Sequence, residues 1–108
     1  MSEHEFQARS AESLDDLFNR LTTAGEHYGF DADFNGGALT VEFEDPPAKF
    51  VVSPNSPVKQ IWVSAHSKSF KFDWNDEKKT FVLPDSGLSL TEMMADASSH
   101  QLGTVVNL

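Results

Sequence analysis

The chain has 108 residues, no cysteine, and 17 Asp and Glu against 8 Lys and Arg, for a net charge of −9. That length supports one core and 39% hydrophobic residues favour a folded chain, so residues 1–108 read as a single domain with no disulfide, thiol nucleophile or thiolate metal site. There is no basic-then-apolar leader, no Arg-rich transit composition and no apolar run near about 18 residues, so a cytoplasmic chain without a membrane span is expected.

The first element is a helix. Ser2-Glu-His-Glu5 has the spacing of a capping box, and Phe6, Leu14, Leu17, Leu21 and Ala24 then fall on one helical stripe up to Gly25. Glu12, Asp15, Asp16 and Asn19 lie on the opposite face at one-turn spacing, where like charges repel unless a cation or a basic partner neutralises them. Charge is segregated accordingly: residues 1–45 hold eleven acids against two Arg, whereas residues 46–108 hold six acids and six Lys. A field of that sign repels phosphate backbones and so argues against nucleic acid, leaving cations and basic protein surfaces as partners.

From Phe30 the period changes to two. Phe30, Ala32 and Phe34 alternate with Asp31 and Asp33, Asn35-Gly36 supplies a turn, and Leu39, Val41 and Phe43 alternate with Thr40, Glu42 and Glu44. Further strands are predicted over Lys49–Ser53, Gln60–Ala65, Phe70–Trp74 and Thr80–Leu83, separated by Asp45-Pro-Pro, Pro54-Asn-Ser-Pro57 and Pro84-Asp-Ser-Gly87. A second capping box, Ser89-Leu-Thr-Glu92, opens a helix that buries Leu90, Met93, Met94 and Ala97 and ends at Gly103, with both methionines as core filling. Short connections make the sheet antiparallel. The expected fold is α+β: a two-layer sandwich with the N- and C-terminal helices on one face of the sheet and the other face wet.

Asp31-Ala-Asp-Phe-Asn-Gly36 followed by Glu42 matches a calcium-loop pattern, D-x-D-x-N-G-x5-E. That loop needs a helix on each side, yet both flanks alternate with period two, so a hairpin with outward acids is the better reading. His4, His27, His66 and His100 show no H-x-x-x-H spacing and read as surface residues, although His27 beside Glu26 suits a metal site. No nucleophile elbow, phosphate loop or dinucleotide glycine pattern occurs.

In Gln60-Ile-Trp-Val-Ser64 the apolar Ile61 and Val63 take the helix side, which turns Gln60, Trp62 and Ser64 outward. A large exposed ring is the type of residue that anchors an interface. The run Pro57-x-Lys59-Gln-Ile-Trp-Val-Ser64, followed by Phe72-Asp-Trp74, resembles the signature region of the frataxin family. Asn35-Gly-Gly-Ala-Leu-Thr-Val41 resembles that family's glycine turn and second strand, and Ser86-Gly-Leu-Ser-Leu90 its turn into the last helix, so the likeness spans nearly the whole chain.

The resemblance implies a non-enzymatic iron-binding accessory of iron–sulfur cluster assembly. It implies a ridge of Glu12, Asp15, Glu26 and Asp31, with Asp16 and Asp33 adjoining, that holds ferrous or ferric iron weakly and docks on a basic cysteine desulfurase. It also implies a sheet face of Gln60 and Trp62, with Ser64 and Lys71 beside them, that meets the scaffold machinery, on a monomer or an iron-induced oligomer. Asn19, Thr22 and Thr23 stand where the family commonly has acids, Ser53-Pro54-Asn55 replaces an N-K-Q triplet, and Lys71 replaces an arginine. Exposed carboxylates equally suit manganese, magnesium or calcium, so a generic acidic cation-binding module, with calcium as ligand, remains the alternative.

Overall fold

The computed structural model describes all 108 residues. Helix α1 spans Glu3–Tyr28; the Ser2 side chain caps it by accepting from the Glu5 backbone N–H at 3.1 Å. Its stripe of Phe6, Leu14, Leu17, Leu21 and Ala24 is buried as the spacing predicts. The helix does not stop at Gly25. It runs on to Gly29, a left-handed residue (φ 86°) whose N–H donates to the Gly25 carbonyl at 2.8 Å. Gly25 is a packing glycine: a Cβ there would collide with the Phe30 carbonyl oxygen, where the chain folds back under the helix into the sheet.

Six strands follow as a meander in the order β1-β2-β3-β4-β5-β6, each antiparallel to the next. They are β1 Asp31–Asn35, β2 Ala38–Glu44, β3 Pro47–Asn55, β4 Gln60–Ala65, β5 Lys68–Asn75 and β6 Thr80–Val82. The β1–β2 turn consists of Gly36-Gly37, both at positive φ (63° and 83°), while Asn35 still pairs with Ala38. This moves the turn one residue beyond the expected Asn-Gly pair, because glycine occupies both left-handed positions without a Cβ clash. Pro54 sits inside β3 opposite Ile61. The last β2–β3 pair is Leu39–Val52, so at Pro54 β3 borders β4 alone and behaves as an edge strand, where proline is tolerated.

Helix α2, Leu90–Leu102, opens with the complete capping box. Ser89 Oγ accepts from the Glu92 N–H at 3.1 Å and Glu92 Oε1 accepts from the Ser89 N–H at 3.0 Å. Beyond Gly103 the tail folds back, with Val106 buried and its N–H donating to Ser99 Oγ at 2.8 Å. Both helices contribute to one core with the inward side chains of the sheet, including Leu39, Val41, Phe50, Val52, Ile61, Val63, Phe72 and Phe81. At about 1.5–3 kcal/mol for each large side chain removed from water, that cluster is the main stabilising contribution. The observed fold is the expected two-layer α+β arrangement. No helix is long and apolar enough to cross a membrane.

Candidate functional site

The outer face of the β4–β5 hairpin carries one connected group of side chains. Ile61 and Val63 are 0% and 1% exposed, whereas Trp62 between them is 37% exposed, so the alternation read from the sequence holds. The indole is not loose. Its Nε1–H donates to Gln60 Oε1 at 2.9 Å, and Gln60 Nε2 donates to Asp73 Oδ1 at 3.0 Å. Lys71, directly opposite Trp62 in the register, lays its Nζ 4.9 Å from the ring centroid. Ser64 follows one step nearer the turn, opposite Ser69 and unconnected to the chain of bonds.

Asp73 completes this group and was not among the expected site residues. Its place follows from the turn. His66 and Ser67, both at positive φ, form a two-residue connection, so residues equally far from it face each other: Trp62 with Lys71, Gln60 with Asp73. A tight turn at 66–67 was the signal, masked because neither residue is the Asn or Gly such turns favour. Beside the group lies a groove of about 580 Å³ between β5 and the loop before α2, lined by Gln60, Lys71, Asp73 and Asp85 among others. The residues that hold the exposed ring therefore line a concavity with charges of both signs.

The acidic residues make an open band, not a cage, and it is divided: Glu12 and Asp16 line a groove with Arg9, Trp74 and Lys79 towards β5 and β6. Glu12, Asp15, Asp16 and Glu26 are exposed on α1, and Asp31 and Asp33 are exposed on β1, the edge strand beside it. Asp16 is paired within the helix: Arg20, one turn on, donates to its carboxylate at 2.8 Å, an exposed i,i+4 contact that solvent screens. Asp31 stands opposite Glu42, which stands opposite Lys49 on its other side. The apparent calcium loop thus lies on two paired strands, with Asp33 opposite Thr40, and lacks the outgoing helix that such a loop needs. Nowhere do three His, Asp or Glu side chains converge to the spacing of a metal site. Single, water-exposed carboxylates bind hard cations weakly and exchange them quickly.

All four histidines are exposed. His27 packs edge-on against Tyr28 at 4.7 Å, while His66 and His100, 34 residues apart in sequence, meet with ring centroids 5.2 Å apart.

Comparison with known proteins places this architecture. The family model described as a frataxin-like domain matches residues 1–104. The "Iron-sulfur cluster assembly protein CyaY" of Azotobacter vinelandii is 31% identical over 99 residues, covering 90% of this chain and 89% of that protein. The protein of the same name from Cupriavidus metallidurans is 31% identical over 110 residues, covering 100% and 96%. Among solved structures, a frataxin from Psychromonas ingrahamii superposes with a TM-score of 0.77 at 25% identity, covering 99% of this chain and 97% of that one. This chain belongs to the frataxin-like family.

Proposed function

We propose that this chain is a non-enzymatic accessory of iron–sulfur cluster assembly that binds iron weakly along its acidic band and docks on a cysteine desulfurase and its scaffold protein. The observation that carries the reading is Trp62: an exposed indole fixed by Gln60 and Lys71 on the outer sheet face. A solvent-facing aromatic whose orientation is already set loses little freedom when a partner covers it, which suits an interface anchor. The names of the relatives supply the pathway. The band of Glu12, Asp15, Asp16, Glu26, Asp31 and Asp33 supplies the sign of the partner surface, which is basic. Ferrous and ferric ions fit these hard oxygen donors as cargo, in competition with other divalent cations, because nothing encloses them.

Capture on an immobilised cysteine desulfurase tests the reading. Wild-type chain binds at low salt and is released as salt rises, a variant with Asp15, Asp31 and Asp33 changed to Lys fails to bind, and Trp62→Ala lowers retention of the scaffold. Equal retention of wild type and the triple variant at low salt overturns the docking reading.

A further inference from the structure

His66 and His100 meet at the mouth of a cavity of about 330 Å³ between the β4–β5 turn and α2, which Asp96, Met93 and Lys68 also line. Gln101, 9% exposed, fixes one of the two rings. Its Nε2 donates to the Pro46 carbonyl at 2.7 Å, and a carbonyl only accepts, so the amide cannot be turned round. Its Oε1 therefore faces His66 Nε2 at 2.8 Å, and His66 must carry its proton there. The lone pair is left on Nδ1. A buried acceptor that fixes the tautomer in this way is the usual support of a metal-binding histidine.

His66 is also held in an unfavourable backbone. It sits at φ 51° in a two-residue turn with Ser67 at φ 62°, positions that prefer Asn or Gly, and its ring packs edge-on against Phe50 at 5.0 Å. His100, on an exposed face of α2, is free to rotate towards it, and Asp96 lies one turn before His100. Two nitrogens bound to one zinc at about 2.0 Å in tetrahedral geometry stand about 3.3 Å apart, within reach of imidazoles whose centroids are 5.2 Å apart.

From this geometry we propose that His66 and His100 form a two-imidazole site for a late first-row divalent ion, of which zinc is the representative. The site is separate from the acidic band. Water completes the coordination; Asp96 and Lys68, of opposite charge, line the same cavity. Imidazole nitrogen selects zinc, nickel or copper, whereas the carboxylates of the band prefer harder ions.

The test is a zinc titration of the full chain in excess magnesium, following the ring protons of all four histidines by NMR. His66 and His100 shift together and saturate while His4 and His27 do not, and His100→Gln or His66→Asn weakens zinc binding by about tenfold or more. Asn accepts the left-handed backbone at position 66; should that variant still loosen the turn, as judged by circular dichroism, His100→Gln alone decides. Unchanged affinity in His100→Gln, an equal response of His4 and His27, or loss of the shifts in magnesium overturns the proposal. The triple Lys variant of the band keeps its zinc response, so failure of the docking reading and failure of this one are distinguishable.

Discussion

Trp62 donates its indole N–H to the side chain of Gln60, two residues back on the same strand, at 2.9 Å. Successive outward residues of a strand thus act on each other directly, and Gln60 passes the constraint across to Asp73 on β5. The ring rests on the sheet with its exposed side turned to solvent.

Trp62 and Trp74 are therefore distinguishable in solution. Trp74 is half-buried, edge-on to Phe81 at 5.2 Å, with Arg9 over its ring at 5.2 Å and its N–H donating to Asp76 at 2.8 Å. A neutral quencher should reach Trp62 more readily, as read from the Trp62→Phe and Trp74→Phe variants. Trp62→Ala should cost about 1 kcal/mol of stability, the scale of its cation–π contact with Lys71, yet weaken scaffold binding by about 2 kcal/mol or more. Gln60→Ala leaves the ring in place but unfastened, and its expected effect on binding is the smaller of the two. A stability loss of about 3–5 kcal/mol in Trp62→Ala, as for a core tryptophan, would count against the anchor role.

Asp31 and Glu42 are like charges directly opposite each other on β1 and β2. Such a pair opposes strand pairing, and Lys49 faces Glu42 from its other side without forming an ion pair with it. Asp31→Thr removes the repulsion and substitutes a good strand former at an exposed position, so denaturant unfolding should show a gain of about 0.2–1 kcal/mol. The same substitution should weaken iron binding at the band. A stabilised variant with weaker binding is the signature of a cluster maintained for function; unchanged stability would mean that solvent already screens the pair.

The fold was legible wherever a local rule had one answer. Ser89 with Glu92 gave the start of α2, and Ile61, Val63, Leu39 and Val41 gave the buried side of the sheet, because capping and period-two alternation are local. Other features depended on packing and side-chain placement that no local rule specifies. Helix α1 ends at Gly29, and Gly25 is instead where the missing Cβ admits the Phe30 carbonyl, while the pairing of Asp16 with Arg20 rests on a rotamer. Asp73 joined the Trp62 group only once the His66–Ser67 turn fixed the register. The meeting of His66 and His100 follows from where α2 lies over the hairpin, and no sequence spacing encodes it.

Glu92 gives a pH dependence of known sign. Hydrogen bonds from the Ser89 backbone N–H, and then from the Ser89 side chain, hold its carboxyl below the ordinary value. A depressed carboxyl contributes stability that is fully present above its unfolded pKa and is lost as pH falls through the folded one. At neutral pH, Glu92→Gln should therefore melt below wild type. As pH falls through and below the usual carboxylate range, the two melting temperatures should converge. A gap that stayed constant down to strong acid would mean that the charge on Glu92 contributes nothing to the cap.

Gly25 provides the most direct check on how the helix meets the sheet. Replacing a glycine in the middle of a helix by alanine normally stabilises it by about 1 kcal/mol, because glycine loses more backbone freedom on folding and alanine is the best helix former. At Gly25 the new methyl would strike the Phe30 carbonyl oxygen, a backbone atom that cannot swing aside as a side-chain tip can. Phe30 is itself anchored: its N–H donates to the Gly25 carbonyl at 3.1 Å and its buried ring packs against Phe43 at 5.0 Å. Relief requires α1 and β1 to move apart, so Gly25→Ala should destabilise the chain by about 1–3 kcal/mol, the cost of overpacking, with the opposite sign to the propensity effect. Gly29→Ala serves as the control. Nothing lies near its missing Cβ, but its φ of 86° should cost about 1–2 kcal/mol through backbone strain alone. If Gly25→Ala proved neutral or stabilising in denaturant unfolding while Gly29→Ala lost stability, the close approach of α1 to β1 would be wrong.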